Sequence, residues 1–167
     1  MQIRTAVPAD RGVVDRLWLM FRHDLSEFSG TLPFPDGSFR SERVDSAFGE
    51  PGWAPYLLLL DDRPIGLSFI RGLDGPSAIM NTFFITRATR RRGLGLTAAR
   101  TLISHHPGPW QIPFQDTNPT AAPFWRRVAT EVAGEAWTEE HRAVPGRPDL
   151  TPDTWISFDT GSGTGGR

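Results

Sequence analysis

Residues 83–96 read Phe83-Phe84-Ile85-Thr86-Arg87-Ala88-Thr89-Arg90-Arg91-Arg92-Gly93-Leu94-Gly95-Leu96. An apolar run that suits a buried strand gives way to arginines and glycines. A helical pattern then opens at about Gly95, with Leu96, Ala99, Leu102 and Ile103 on its inner face. Gly93 and Gly95 let the backbone pass close to a ligand and turn successive N–H groups into one concavity. The start of the helix adds roughly half a positive charge there. Arg90, Arg91 and Arg92 supply charge and paired donors that fit phosphate oxygens. The stretch predicts a pyrophosphate site at a strand-to-helix turn. The plainer reading of the same residues is a solvated arginine run on an exposed turn.

Two commoner phosphate loops do not fit. A P-loop needs a lysine, and all 18 basic residues of the chain are arginine. The dinucleotide-binding fingerprint needs a third glycine beyond Gly93 and Gly95.

Working outward, Ile3 to Val7 is a short strand, and Pro8-Ala9-Asp10 is a turn with Asp10 as helix N-cap. Val14, Leu17, Phe21, Leu25 and Phe28 then form one apolar stripe on a helix that ends near Ser29-Gly30. Leu32 to Gly37 is a loop, and Ser38 to Phe48 a weaker helix. Tyr56 to Leu60 and Ile65 to Arg71 make a hairpin about Asp61-Asp62-Arg63-Pro64, and Ser77 to Thr86 is a third strand. Beyond the motif helix come a strand at Trp110 to Gln115, a helix at Thr120 to Val132, and short strands near Trp137 and at Trp155 to Phe158. The order is a mixed α/β plan in a single domain over residues 1–160, without the strict βα alternation of a doubly wound fold. The glycine-rich tail, 161–167, is expected to be disordered.

Arg90-x-x-Gly93-x-Gly95 after an apolar strand resembles the acyl-CoA pyrophosphate motif of the GNAT N-acetyltransferases, Gln/Arg-x-x-Gly-x-Gly/Ala. Downstream, Asn118-Pro-Thr-Ala-Ala122-Pro-Phe124-Trp125 is similar to the second motif of that family, and the element order agrees from Ile3 to Phe158. The resemblance implies a GNAT-like fold: a mostly antiparallel twisted sheet with a parallel V-shaped split, flanked by about four helices. It also implies acetyl-CoA in that split. Main-chain groups of Phe84 and Ile85 would pair with the pantetheine, and the loop from Arg90 through Arg91, Arg92, Gly93, Leu94, Gly95 and Leu96 would hold the pyrophosphate. Asn118 would fix the far end of the arm and Trp125 would pack along it.

The chain departs from the family where many relatives carry acid–base groups. The stretch expected to hold a strand carboxylate reads Asn81-Thr82, and the aromatic pair on the last helix is Phe124-Trp125 with no tyrosine; the chain's single tyrosine is Tyr56. Direct attack by a neutral amine survives that loss, because a thioester needs mainly proximity. Thr82, Asp116 and Glu27 are the candidate catalytic groups. Trp18, Asp24, Glu27, Phe28, Asn81, Glu139 and Glu140 are the candidate acceptor-binding groups, an acidic and aromatic set that suits a cation. Taken singly, each charged residue reads better as an ordinary surface charge capping a helix end, and the tryptophan as core or cleft wall. The stretches Leu17 to Ser26 and Ala136 to Glu140 look like aminoglycoside 2'-N-acetyltransferases acting on kasugamycin, which implies a small-molecule aminoglycoside acceptor and resistance by acetylation. The same chemistry on another metabolite amine or a protein N-terminus is the rival, and a non-catalytic acyl-CoA sensor is the alternative from another class.

Composition narrows the rest. With no cysteine there is no disulfide, thiol nucleophile or Cys-ligated metal, and with no lysine no Schiff base. A formal charge of −1 gives no reason to expect nucleic acid or an anionic membrane as partner. The four histidines lack convergent ligands, so no metal site is expected. The longest apolar run, Tyr56 to Leu60, falls far short of the ~20 residues of a membrane span. A polar N-terminus without a signal-peptide h-region points to the cytoplasm. A homodimer is compatible with all of this.

Overall fold

The computed structural model describes residues 1–161; the tail expected to be disordered lies, Gly161 apart, outside the described residues. The elements are β1 (Gln2–Thr5), α1 (Arg11–Ser29), α2 (Glu42–Gly49), β2 (Ala54–Leu60), β3 (Arg63–Arg71), β4 (Ala78–Ile85), α3 (Leu94–Ser104), β5 (Pro109–Phe114), α4 (Ala121–Ala133), β6 (Trp137–Arg142) and β7 (Asp153–Asp159). The strands form one seven-stranded sheet in the order β1-β2-β3-β4-β5-β7-β6, antiparallel except for β4 beside β5. This is the mixed architecture expected from the sequence.

Alternation along the strands gives each face of the sheet its own core. Leu57, Leu67, Phe69 and Phe84 meet Val14, Leu17, Trp18 and Phe21 of α1 and Val44 and Ala47 of α2 on one face. Met80, Trp110, Ile112 and Ile156 meet Ala99, Leu102 and Ile103 of α3 and Trp125 and Val128 of α4 on the other. α1 ends as expected at Gly30, whose φ of 66° is the left-handed turn a helix C-terminus favours. The hairpin after β2 turns on Asp61 and Asp62, both at positive φ. That is the twist a two-residue hairpin loop needs.

Asp10 does not cap α1 as the sequence predicts. Its carboxylate turns back to accept from both terminal nitrogens of Arg4, at 2.7 and 2.9 Å, and from the Val7 N–H at 2.8 Å. It therefore ties β1 to the start of α1.

The feature that positions everything else is the parallel pair. β4 and β5 share only Ala78↔Trp110 and Ile79↔Gln111, at their N-terminal ends, and then diverge. Two residues explain the divergence. The β3–β4 register slips between Phe69↔Thr82 and Ile70↔Met80, so Asn81 is an extra residue that bends β4. Pro113 has no N–H to donate, and β5 tolerates it because beyond Gln111 the strand has a neighbour, β7, on one side only.

The Arg4 guanidinium and the Val7 N–H hold the Asp10 carboxyl down at about 2 from an ordinary 3.8. A carboxylate lowered on folding stabilises the fold above its ordinary value, and that contribution fades as pH falls through 3.8 towards about 2. Urea denaturation in that window should show Asp10→Asn less stable than the parent above it, with a visibly flatter acid limb. Parallel acid limbs would assign the dependence to other carboxylates.

Candidate functional site

The split between β4 and β5 opens towards the loop that quoted the sequence motif. Arg91 and Gly93 sit at φ of 61° and 75°, so the chain curls back on itself just before α3. The first helical bond into this turn runs from the Thr97 N–H to the Gly93 carbonyl. The amides from Arg91 to Leu96 have no hydrogen-bond acceptor among the described residues. A row of free N–H groups at a helix start attracts an anion. Arg91 and Arg92 have no acidic partner among the described residues and add two charges beside the row. Gly95 lies close against the slot wall: a Cβ there would stand 3.4 Å from the Phe124 ring and 3.6 Å from Ile85, in ordinary van der Waals contact with both.

Arg90 is placed differently from expectation. Its Nε donates to the Ile85 carbonyl at 2.8 Å, its terminal nitrogen pairs with Asp24, and its guanidinium lies over the Phe84 ring. Arg87 donates to the other Asp24 oxygen at 2.9 Å and reaches Glu27 at 3.6 Å. Asp24, three-quarters of the way along α1, is thus a clamp on the loop and is not free to hold a substrate ammonium. Arg90 shapes the turn, and the free charge over the cradle belongs to Arg91 and Arg92.

The main-chain groups lining the split also shift by one residue. The Thr86 N–H donates to the Ile65 carbonyl, the Thr82 carbonyl accepts from Ser68, and a Cβ on Gly66 of β3 would collide with the Phe84 carbonyl. The even-numbered residues at this end of β4 therefore point their polar groups to β3. Phe83 and Ile85 turn theirs to the split, with the Ile85 carbonyl already taken by Arg90. Phe84 faces the α1 side, where it packs against Phe21. Phe83, absent from the sequence candidates, also stacks with Phe124 and meets Trp125 edge-on, so three aromatic rings wall the α4 side of the split. Trp125 is a buried member of that core, whereas Phe124 is partly exposed beside Gly95.

The remaining candidates scatter. Trp18 is buried, stacked on Phe69 and donating to the Arg40 carbonyl at 2.8 Å, which makes it core and not an acceptor wall. The Asn118 side-chain oxygen accepts from Thr120 and so closes the turn into α4. Glu139 is held by two bonds from Arg126, which lower its carboxyl from the ordinary value, and Glu140 pairs with Arg142. β6 is the sheet edge, three strands from β4 and so more than about 14 Å away across the parted β4–β5 pair, and these glutamates do not join Asp24 and Glu27 in one pocket. Asp116 accepts from Thr154 at 2.8 Å and faces His141 at 3.2 Å; both neighbours hold it below the ordinary carboxylate value. Thr82 is buried with its hydroxyl on Asn81, and the only ionisable groups at the bend of β4 come from other elements. Phe28 stands half-buried near the end of α1. Tyr56 bonds His106 at 2.7 Å beneath the far end of α3, remote from the cradle.

No protein-family model and no curated protein matches the chain. Solved structures do. A GNAT-family acetyltransferase from Staphylococcus aureus superposes with a TM-score of 0.62 at 13% identity, covering 96% of this chain and 99% of that one. The fold is the GNAT fold. Spermidine N-acetyltransferase from Vibrio cholerae, solved with CoA and spermine, gives 0.66 at 12% identity over 95% of each chain. An aminoglycoside acetyltransferase solved with coenzyme A and kanamycin gives 0.63 at 15%, over 95% and 94%. At these identities the likeness is one of fold.

Removing the clamp separates its two readings. Asp24→Ala leaves Arg87 and Arg90 without their carboxylate and should lower unfolding stability by about 1–2 kcal/mol in urea titrations. Unaltered stability would return Asp24 to the list of ligand-binding groups.

Proposed function

We propose that this chain is an acetyl-CoA-dependent N-acetyltransferase acting on the primary amine of a small molecule. The observation that carries the reading is the unpartnered amide row at the start of α3, at the open end of the only parallel strand pair among the described residues. It suits a diphosphate joined to a long arm that lies in a slot. The amides of Arg91 to Leu96, with Arg91 and Arg92, hold the diphosphate. The N–H and carbonyl of Phe83 and the N–H of Ile85 pair with the amides of the pantetheine arm, and Phe124 closes the slot beside Gly95.

When bound, acetyl-CoA supplies a thioester carbon for the amine to attack, the carbon–sulfur bond breaking as the carbon–nitrogen bond forms. The protein's part is positional. Asn81 and Thr82 offer no carboxylate at the bend of β4, so the amine reaches the thioester neutral and its proton passes to water, while the departing thiolate takes its proton from solvent. Orientation of this kind is worth several kcal/mol by itself.

An aminoglycoside such as kasugamycin is the second reading of the acceptor, supported by the sequence stretches quoted above. It asks for carboxylates free to hold ammonium groups. Asp24, Glu139 and Glu140 are each engaged by arginine at short range, and Glu27, exposed and 3.6 Å from Arg87, is the most loosely held of the set.

Thiol release from acetyl-CoA, assayed against kasugamycin, spermidine and a set of amino acids, tests the reading, with the acetylated product identified by mass. Acetyl-CoA that binds and is never turned over would instead identify a sensor. Gly93→Val places a β-branched residue at a φ of 75° and should weaken acetyl-CoA at least tenfold in calorimetry. Equal affinity in the variant would remove the diphosphate from the α3 cradle.

A further inference from the structure

Two contacts in series join α1 to the edge of the slot. The Asp24 side chain is only 16% exposed, and its partners, Arg87 and Arg90, lie 63 and 66 residues further along the chain. One carboxylate oxygen accepts from Arg87 at 2.9 Å and the other from a terminal nitrogen of Arg90. Arg90 also donates through Nε to the Ile85 carbonyl at 2.8 Å, with its guanidinium 5.7 Å from the centre of the Phe84 ring. A guanidinium is planar and its donors stand at fixed angles. Holding the terminal nitrogen on Asp24 therefore aims Nε at Ile85, and the ring beneath restrains the plane.

The consequence lies at the strand edge. Ile85 stands opposite Gly66, next to the Thr86 position that bonds Ile65 of β3, so its own main-chain groups turn away from β3 to the split. With the carbonyl taken by Arg90, only the Ile85 N–H remains there. Phe83, two residues earlier, keeps both its N–H and its carbonyl. The edge therefore offers a donor alone at one position and a donor with an acceptor at the next. Each amide of a pantetheine arm brings one N–H and one carbonyl. An arm along this edge gains a bond at Ile85 only by bringing a carbonyl to it, and a slipped arm loses that bond. A slip between these two positions moves everything attached to the arm by about 7 Å. A misplacement of about 1 Å already costs up to about 100-fold in rate.

We propose that Asp24 is a positioning residue: through Arg90 it closes the Ile85 carbonyl and so fixes where along β4 the pantetheine arm, and with it the thioester, comes to rest. The inference rests on the acetyl-CoA reading for the identity of the arm, and on the contacts of Asp24 and Arg90 for the fixing. Asp24 touches no substrate in this role. It also neutralises two guanidinium groups that would otherwise add their charge to that of Arg91 and Arg92. Removing the carboxylate charge thus frees the register of the arm without weakening the attraction for an anion at the start of α3. A carboxylate that merely stabilised the turn would affect both together.

The test separates the arm from the anion. Asp24→Asn keeps the side-chain shape and removes the charge, and it is assayed at a temperature where circular dichroism shows it folded. With an amine that the parent acetylates, kcat should fall at least about tenfold. In calorimetry, affinity for CoA should fall at least about fivefold, while affinity for inorganic pyrophosphate, which has no arm, should equal or exceed that of the parent. Asp24→Glu should restore part of kcat. Arg90→Gln should reproduce the fall, and the double variant should fall no further, because the two residues act in series. Unchanged kcat and CoA affinity in Asp24→Asn, equal losses for CoA and pyrophosphate, or additive falls in the double variant each overturn the positioning role and leave the acetyltransferase standing. A parent that binds CoA and turns over no amine overturns the acetyltransferase instead, and the CoA and pyrophosphate affinities then decide the positioning role by themselves. A parent that binds no CoA overturns both.

Discussion

Two paired residues on each strand are all that hold β4 to β5. A parallel pair normally runs the length of its strands, and here an extra residue at Asn81 bends one strand while β7 and a proline keep the other straight. The sheet stays continuous at its base and parts above it. Every functional assignment depends on that parting. It leaves the edge of β4 at Phe83 and Ile85 without a partner strand and sets the start of α3 beside that gap. A fully zipped sheet of the same sequence would pair those edges.

The two faces then carry different chemistry. The α3–α4 face is aromatic along the slot and cationic at its lip. The α1–α2 face is closed by aromatic packing of Trp18 on Phe69 and of Phe21 on Phe84. β4 itself brings no carboxylate and no tyrosine to its bend at Asn81 and Thr82.

Much of this was legible in the sequence because it rests on local signals. Gly93, Gly95 and the arginines between a strand and a helix announce a tight turn with free amides, and period-2 and period-3.6 patterns locate the elements to within a few residues. What stayed hidden was pairing between distant residues. Asp24 looks free until α1 is laid beside the loop at Arg87. Phe84 looks like the slot-facing residue until the register with β3 shows that its carbonyl points the other way. Glu139 and Glu140 look like partners of Glu27 until the strand order puts them at the sheet edge.

The clamp between Asp24 and the arginines after β4 joins things that the sheet would otherwise keep apart. Through Asp24 the C-terminal third of α1 is fastened to the glycine turn that opens α3 on the other side of the sheet. Whatever steadies that turn also steadies the helix, so a disturbance at either is shared by both through a pair of guanidinium contacts.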